Sequence, residues 1–240
     1  MMEKTVFITG GSRGIGACAV KKYAQNGYRV AFSYLNSEKE ANKLGKEYGA
    51  LAIKADVSDS RQVDCAIEKV EKELGSVDIL INNAGIDEFA LATDITDEMW
   101  RKMIDTNLSG AFYACRRVLG GMINKKSGVI INVSSMWGEV GASCEVHYSA
   151  SKAGLIGLTK ALAKEVGPSG IRVNCISPGV IDTDMNKCLS KEDINALISD
   201  TPLGKIGTPD DVVNTMLFLS SDASSFITGQ ILGVDGGFII

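Results

Sequence analysis

Thr9-Gly10-Gly11-Ser12-Arg13-Gly14-Ile15-Gly16 is the segment that decides the fold. It joins a short apolar run to a stretch in which Ala19, Val20 and Tyr23 recur at helical spacing. Glycines let the backbone turn tightly and approach a pyrophosphate, and the N-terminus of the following helix supplies oriented N–H donors. The segment therefore predicts a strand, a dinucleotide-binding turn and a helix. Its candidate cofactor contacts are Gly10, Ser12, Arg13, Gly14, Ile15 and Gly16.

Short β-branched or apolar runs alternate with amphipathic stretches along the whole chain. The runs predicted as strands are Thr5 to Thr9, Arg29 to Tyr34, Leu51 to Lys54, Ile79 to Asn82, Val129 to Val133, Arg172 to Ser177 and Ile231 to Val234. The predicted helices include Gly14 to Gln25, Ser60 to Leu74, Asp97 to Gly120, Tyr148 to Val166 and Pro209 to Leu219. This order predicts a single α/β domain over 1–240, with a doubly wound, seven-stranded parallel sheet of the Rossmann type.

Composition excludes several classes of protein. The 240 residues are 45% hydrophobic, which argues against disorder, and a net charge of -4 argues against nucleic-acid binding. The apolar run at the N-terminus is too short for a signal peptide or a membrane span, so a cytoplasmic protein is expected. His147 is the only histidine and the six cysteines form no C-x-x-C pair, so we expect no metal site.

The end of the second predicted strand favours NADP(H) over NAD(H). NAD-selective folds place an acidic residue there to bind the ribose 2′-OH, whereas here the first acid is Glu38. A 2′-phosphate would meet no repulsion, and Arg13 and Ser37 are placed to bind it.

Polar residues follow the third and fourth predicted strands, where the adenine and ribose should lie. They are Asp56-Val57 and Asn83-Ala84-Gly85, the latter preceded by Asn82. Asn, Asp and Gly also favour ordinary turns, which is the alternative for each segment taken alone. Their placement after successive strands favours contact with a cofactor.

Tyr148 and Lys152 stand four residues apart and so share one helix face. An ammonium close to a phenol favours the ionised phenol, so this spacing predicts a tyrosine with a lowered pKa that exchanges a proton near neutral pH. The alternative for the isolated pair is a partly buried ring beside a solvated charge. Ser135, after the fifth predicted strand, would reach the same edge of the sheet.

Together these motifs resemble those of the classical short-chain dehydrogenases/reductases, from T-G-x-x-x-G-x-G at the N-terminus to V-D-G-G near Gly237. The resemblance implies that Tyr148 donates a proton to a carbonyl, with Ser135 on the substrate oxygen. It implies that Lys152 binds the nicotinamide ribose beside Tyr148 and that Asn107 holds a water. It also adds cofactor contacts at Pro178, Gly179 and Thr183.

Within that family the pattern is most similar to bacterial 3-oxoacyl-acyl-carrier-protein reductases, which implies NADPH-dependent reduction of a β-keto thioester and a homotetramer. Two features depart from it: Glu145 and His147 stand where those reductases often have Gln and Asn. A non-catalytic nucleotide-binding scaffold is a further alternative. The complete catalytic set argues against it.

Three acidic residues, Asp87, Glu88 and Glu145, are expected at the substrate entrance. Carboxylates there would repel an anionic substrate and favour a cationic one, although solvated loop acids are an equal alternative. The segment around Trp137-Gly138 and Gly141 to Glu145 also resembles the short-chain reductases that act on the 5-aminopentanone-modified residue of elongation factor P. That resemblance implies an amine-bearing ketone and elongation factor P as an alternative partner.

Overall fold

One parallel sheet of seven strands forms the centre of the computed structural model, which describes residues 3–184 and 190–239. The strands are β1 Thr5–Ile8, β2 Arg29–Tyr34, β3 Leu51–Lys54, β4 Ile79–Asn82, β5 Gly128–Val133, β6 Ile171–Pro178 and β7 Ile231–Val234. They lie in the order β3-β2-β1-β4-β5-β6-β7. This confirms the predicted doubly wound sheet, and each predicted strand agrees with the observed one to within a residue at either end.

Helices cover both faces of the sheet. They are α1 Gly14–Gln25, α2 Glu38–Tyr48, α3 Ser60–Leu74, α4 Asp97–Ile104, α5 Gly110–Lys125, α6 Trp137–Val140, α7 Val146–Val166, α8 Lys191–Asp200 and α9 Pro209–Ser220. The helix predicted from Asp97 to Gly120 is confirmed as helical throughout, with a π-helical turn at Asp105–Ser109 between α4 and α5 and a C-terminal end that extends to Lys125. Helix α7 also begins two residues before the predicted start at Tyr148.

Alternate residues of each strand enter two separate apolar cores. Val6 and Ile8 pack with α1 and α9 on one side, and Phe7 packs with α3 and α5 on the other. Because both faces are covered, the strands are apolar at nearly every position instead of alternating. The covered sheet holds the carboxyl ends of its strands in fixed positions.

The chain reverses its direction of strand addition between β1 and β4, which are neighbours in the sheet. Loops that leave such a pair in opposite directions open a crevice, where doubly wound folds bind their ligands. The glycine segment follows β1, Asn83 follows β4 and Ser135 follows β5. Within 3–184 and 190–239, no helix is both long and apolar enough to span a membrane.

Candidate active site

The glycine segment after β1 is packed so closely that side chains would not fit. A Cβ at Gly10, where φ is +66°, would lie 2.8 Å from Ala84 Cα, and a Cβ at Gly11 would lie 2.5 Å from Phe32 Cβ. A Cβ at Gly16 would overlap the carbonyl oxygen of Gly10. The glycines therefore allow the segment to pack directly against the loop after β4 and against Phe32.

Asn83 and Ala84 brace the glycine segment. Both backbone amides donate to Thr9 Oγ1 at 3.0 Å, and Asn83 Nδ2 donates to the carbonyl oxygens of Thr9 and Gly10 at 3.1 and 3.0 Å. Contact of these residues with a cofactor stays a prediction. Their observed role is to hold the loops after β1 and β4 together across the crevice.

The first turn of α1 is suited to bind an anion. It contains no acidic residue, and its N-cap residue, Arg13, makes no side-chain capping bond and is exposed. Thr183 faces this turn, since a Cβ at Gly14 would lie 3.5 Å from its methyl group. Ser37 is the N-cap residue of α2 and likewise makes no side-chain capping bond. These donors fit the phosphates of a nicotinamide dinucleotide.

Asp56 stabilises the turn that follows β3. Its Oδ1 accepts hydrogen bonds from the amide and hydroxyl of Ser58 at 2.9 and 2.7 Å, while Val57 is buried. This geometry is that of an Asx-turn. It favours the alternative that Asp56 belongs to an ordinary turn. The residue nevertheless lies at the edge of the crevice.

Pro178 and Gly179 tie the loops after β5, β6 and β7 together. The carbonyl oxygen of Pro178 accepts from Met136 N at 3.0 Å, and Gly179 N donates to Val234 O at 3.0 Å. The segment that carries Thr183 therefore leaves the sheet at a fixed point beside the Ser135 loop.

Tyr148, Ser135 and Lys152 meet at the carboxyl end of β5. Tyr148 is 7% exposed, and the Ser135 side chain acts on its phenol and lowers the pKa of that phenol. Lys152 Nζ lies 5.6 Å from the centroid of the tyrosine ring and donates to the carbonyl oxygen of Val133 at 2.9 Å. A Cβ at Gly85 would lie 3.3 Å from Lys152 Nζ, so the loop after β4 closes the site on its other side.

Asn107 enters the site because of the π-helical turn. Its Oδ1 accepts from Ile86 N at 2.8 Å, and its Nδ2 donates to Ile86 O at 2.9 Å and to Ser151 Oγ at 3.1 Å. Ser151 Oγ donates in turn to the carbonyl oxygen of Tyr148 at 2.7 Å. Inserted turns of this kind often occur at functional sites. Here the turn connects the loop after β4 to the helix that carries the phenol.

The prediction that Tyr148 has a lowered pKa is wrong for this structure. Burial raises the pKa of the phenol, and the charges of Asp87 and Glu145 raise it further, whereas the hydrogen bond from Ser135 lowers it. Burial also lowers the pKa of Lys152 to about 8. The phenol is therefore protonated at neutral pH and carries the proton that reduction of a carbonyl requires.

Two of the three predicted entrance acids, Asp87 and Glu145, act electrostatically on the reacting phenol. Burial, and then the charge of Asp87, raise the pKa of Glu145 to about 7. Burial likewise raises the pKa of Asp87, which interacts with both Tyr148 and Lys152. Glu88 is only partly buried, and its amide donates to Asp87 Oδ1 at 2.8 Å. The structure brings Asp87 and Glu145 together and assigns Glu88 a supporting position.

Sequence reasoning missed two residues of the site. Ser151 links Asn107 to the backbone at Tyr148, and its place beside Lys152 in the motif was the available signal. His147 was set aside because neighbouring helical residues diverge, yet it is completely buried and interacts electrostatically with Asp87.

A family model described as enoyl-(acyl carrier protein) reductase matches residues 10–239. Together with the glycine segment after β1 and the site at Tyr148 and Lys152, this match shows that the chain belongs to the short-chain dehydrogenase/reductase family. The members of this family are oxidoreductases with a nicotinamide cofactor.

Several ketone reductases are similar to this chain in sequence. The chain is 43% identical over 242 residues to the 3-oxoacyl-[acyl-carrier-protein] reductase FabG of Chlamydia muridarum, covering 99% of this chain and 98% of that protein. It is 40% identical over 241 residues to the FabG protein of Staphylococcus aureus, with 98% of each covered. It is 41% identical over 237 residues to the acetoacetyl-CoA reductase of Rhizobium meliloti, again with 98% of each covered.

Proposed function

We propose that this chain is an NADPH-dependent carbonyl reductase that converts a 3-oxoacyl thioester, carried by an acyl carrier protein, to the 3-hydroxyacyl form. The observation that carries the proposal is the meeting of the buried Tyr148, Ser135 and Lys152 side chains at the carboxyl end of β5, beside the loop after β4. Identity of 40–43% to ketone reductases over nearly the whole chain supports the same class of substrate.

Each side chain of the site has a separate role in the reduction of the carbonyl group. A nicotinamide cofactor held by the first turn of α1, Arg13 and Ser37 would supply the hydride for the carbonyl carbon. Tyr148 donates its phenolic proton to the carbonyl oxygen, and Ser135 donates a hydrogen bond to the same oxygen. Lys152 keeps positive charge beside the phenol as it loses its proton, since its pKa of about 8 leaves it mostly protonated at neutral pH. Asn107 holds the loop after β4 against α7.

Preference for NADPH rests on the end of β2 and on Arg13. The strand ends at Tyr34 without an acidic residue, and the Arg13 guanidinium is exposed at the N-terminus of α1. A 2′-phosphate there meets a cation and the Ser37 hydroxyl. Arg13→Ala is expected to lower kcat/KM for NADPH with little effect on NADH. Equal losses with both cofactors would contradict this role.

A second candidate substrate is the 5-aminopentanone-modified residue of elongation factor P. The observation that favours it is the pair Asp87 and Glu145 beside the phenol, because two carboxylates attract a protonated amine and repel an acidic carrier. An anionic thioester substrate would meet the same pair unfavourably.

One experiment separates the two candidates. NADPH oxidation is measured with an acetoacetyl thioester and with an amino-ketone, with NADH in parallel and Tyr148→Phe as the control for background reduction. Faster turnover of the thioester supports the first candidate, and faster turnover of the amino-ketone supports the second. Turnover that persists in Tyr148→Phe would refute the assignment of Tyr148 as the proton donor.

We also propose a single cytoplasmic domain over 1–240 that assembles as a homotetramer. Trp100 of α4 and Phe112 of α5 are about two-fifths exposed, which suits an interface. Near the C-terminus, the Phe238 ring packs against Trp137 of the same chain, with the ring centroids 5.7 Å apart. Sedimentation of monomers alone at micromolar concentration would refute the tetramer, and cell fractionation tests the location.

A further inference from the structure

The hydroxyl of Ser135 is held by a backbone amide of the helix that follows it. Trp137 N, at the start of α6, donates a hydrogen bond to Ser135 Oγ at 3.2 Å. A serine hydroxyl has one proton to donate and two lone pairs that accept. Because a lone pair of Ser135 faces this amide, its proton is left to be donated to another group, and the Ser135 side chain acts on the Tyr148 phenol.

Helix α6 depends on packing for its position. It has only four residues, and so short a helix is not stable by its own hydrogen bonds. On one side it lies against α7, since a Cβ at Gly138 would lie 2.8 Å from Lys152 Cβ and 2.9 Å from Ser134 Oγ. Glycine at this position therefore allows α6 to approach the helix that carries Lys152.

On its other side, α6 is held through the ring of Trp137. This ring packs against Phe238 with the centroids 5.7 Å apart and the ring planes at 87°. Aromatic pairs favour this edge-to-face arrangement. Both side chains are partly buried. The contact joins α6 to residues 235–238, which follow β7 and which we call the C-terminal segment.

The C-terminal segment is itself fixed by hydrogen bonds. Gly237 N donates to Asp235 Oδ1 at 2.9 Å within the segment. Leu203 N, in the loop after α8, donates to the carbonyl oxygen of Gly236 at 3.1 Å. The segment therefore presents the Phe238 ring to α6 from a fixed backbone.

We propose that Trp137 and Phe238 are positioning residues for Ser135. Phe238 holds the Trp137 ring, and Trp137 thereby keeps its backbone amide on Ser135 Oγ. This role rests on the carbonyl reduction proposed above, in which Ser135 donates a hydrogen bond to the substrate oxygen. A hydroxyl that changes rotamer offers that bond only part of the time, whereas a hydroxyl held by an amide is preorganised to donate it.

The first test follows the Trp137 amide and needs no turnover. The chain has two tryptophans, so labelling tryptophan with the heavy nitrogen isotope gives two backbone amide signals by NMR, and Trp100→Phe identifies the signal of Trp137. We expect exchange of this amide with solvent deuterium to become at least about threefold faster in Phe238→Ala and in Ser135→Ala. Phe226→Ala removes a fully exposed ring and is the matched control, expected to leave the rate within about twofold.

The second test is a double-mutant cycle on the reduction of an acetoacetyl thioester. We expect Phe238→Ala to lower kcat roughly threefold to tenfold, with the KM for NADPH within about twofold of wild type. In the Ser135→Ala background, the same change is expected to alter kcat less than about twofold, because its effect passes through the Ser135 hydroxyl. Phe238→Tyr keeps the ring and should retain the kcat of wild type. If Phe238→Ala does not fold, Phe238→Leu removes the ring contact with less loss of volume, and the same fall in kcat is expected.

Two results would overturn the positioning role. One is an equal fall in kcat for Phe238→Ala with and without Ser135, since the ring would then support the fold and not the hydroxyl. The other is unchanged exchange of the Trp137 amide in Phe238→Ala. If wild type reduces no ketone, the proposed carbonyl reduction is refuted for this substrate class, and the exchange rates of the Trp137 amide still decide whether Phe238 holds that amide on Ser135.

Discussion

The ionisation of Glu145 should make this protein less stable as the pH rises, and Glu145→Gln should remove that effect. A carboxyl group whose pKa is raised in the folded state favours folding less and less as the pH passes from its unfolded pKa to its folded pKa. For Glu145 those limits are 4.5 and about 7. Below the first limit both states are protonated, and above the second the folded protein carries the full cost of a buried charge.

The size of the effect follows from the difference between the unfolded and folded pKa values of Glu145. A difference between 4.5 and about 7, at about 1.4 kcal/mol for each pH unit, sets a ceiling of about 3 kcal/mol. Solvent screens part of this electrostatic free energy, so we expect on the order of 1–2 kcal/mol. The free energy of unfolding of Glu145→Gln, relative to wild type, should therefore rise by that amount between about pH 5 and about pH 8.

Urea unfolding at the two pH values measures this difference. Comparing the same variant at both values cancels the constant effect of an amide in place of a carboxyl. Glu139→Gln, which changes an exposed acid, should show a difference close to zero. A flat difference for Glu145→Gln would refute the argument that burial governs the charge of this residue.

Three further changes test the site and the fold. Tyr148→Phe should lower turnover by about 10²- to 10⁴-fold while NADPH binding, measured by fluorescence titration, is retained. Gly11→Ala should destabilise the protein by about 1–3 kcal/mol in urea unfolding, because its Cβ would lie 2.5 Å from Phe32 Cβ. Thr208→Ala should cost about 1 kcal/mol in the same assay, because Thr208 Oγ1 donates to Asp211 Oδ2 at 2.7 Å in the capping box of α9.

Most of the sheet could be predicted from the sequence because its strands are buried on both faces. Each such strand is an apolar run that ends at Gly, Asn or Ser, and these runs locate the strands directly. The π-helical turn between α4 and α5 has no comparable signal, because residues 97–120 keep an ordinary helical pattern. The π-helical turn is held by the bonds of Asn107 with Ile86, a residue of another loop.

The residue types of the site were also predictable, but their ionisation was not. The spacing of Tyr148 and Lys152 places them on one face, which is a local property of a helix. The pKa of the phenol depends on burial and on Asp87, and both come from distant parts of the chain. The same holds for Glu145: its place near the cleft was expected, whereas its burial and its unused oxygen depend on tertiary packing.

The phenol and the two nearby carboxylates are held by different kinds of backbone. Tyr148 lies within α7, which is anchored by Ser134 Oγ donating to Lys152 O at 2.9 Å. Glu145 precedes that helix as its N-cap residue, and its φ and ψ of -133° and 36° are not helical. Asp87 comes from a loop whose place depends on its bonds to neighbours. Because a helix is a more rigid support than a loop, the position of the phenol is fixed more firmly than the position of either carboxylate.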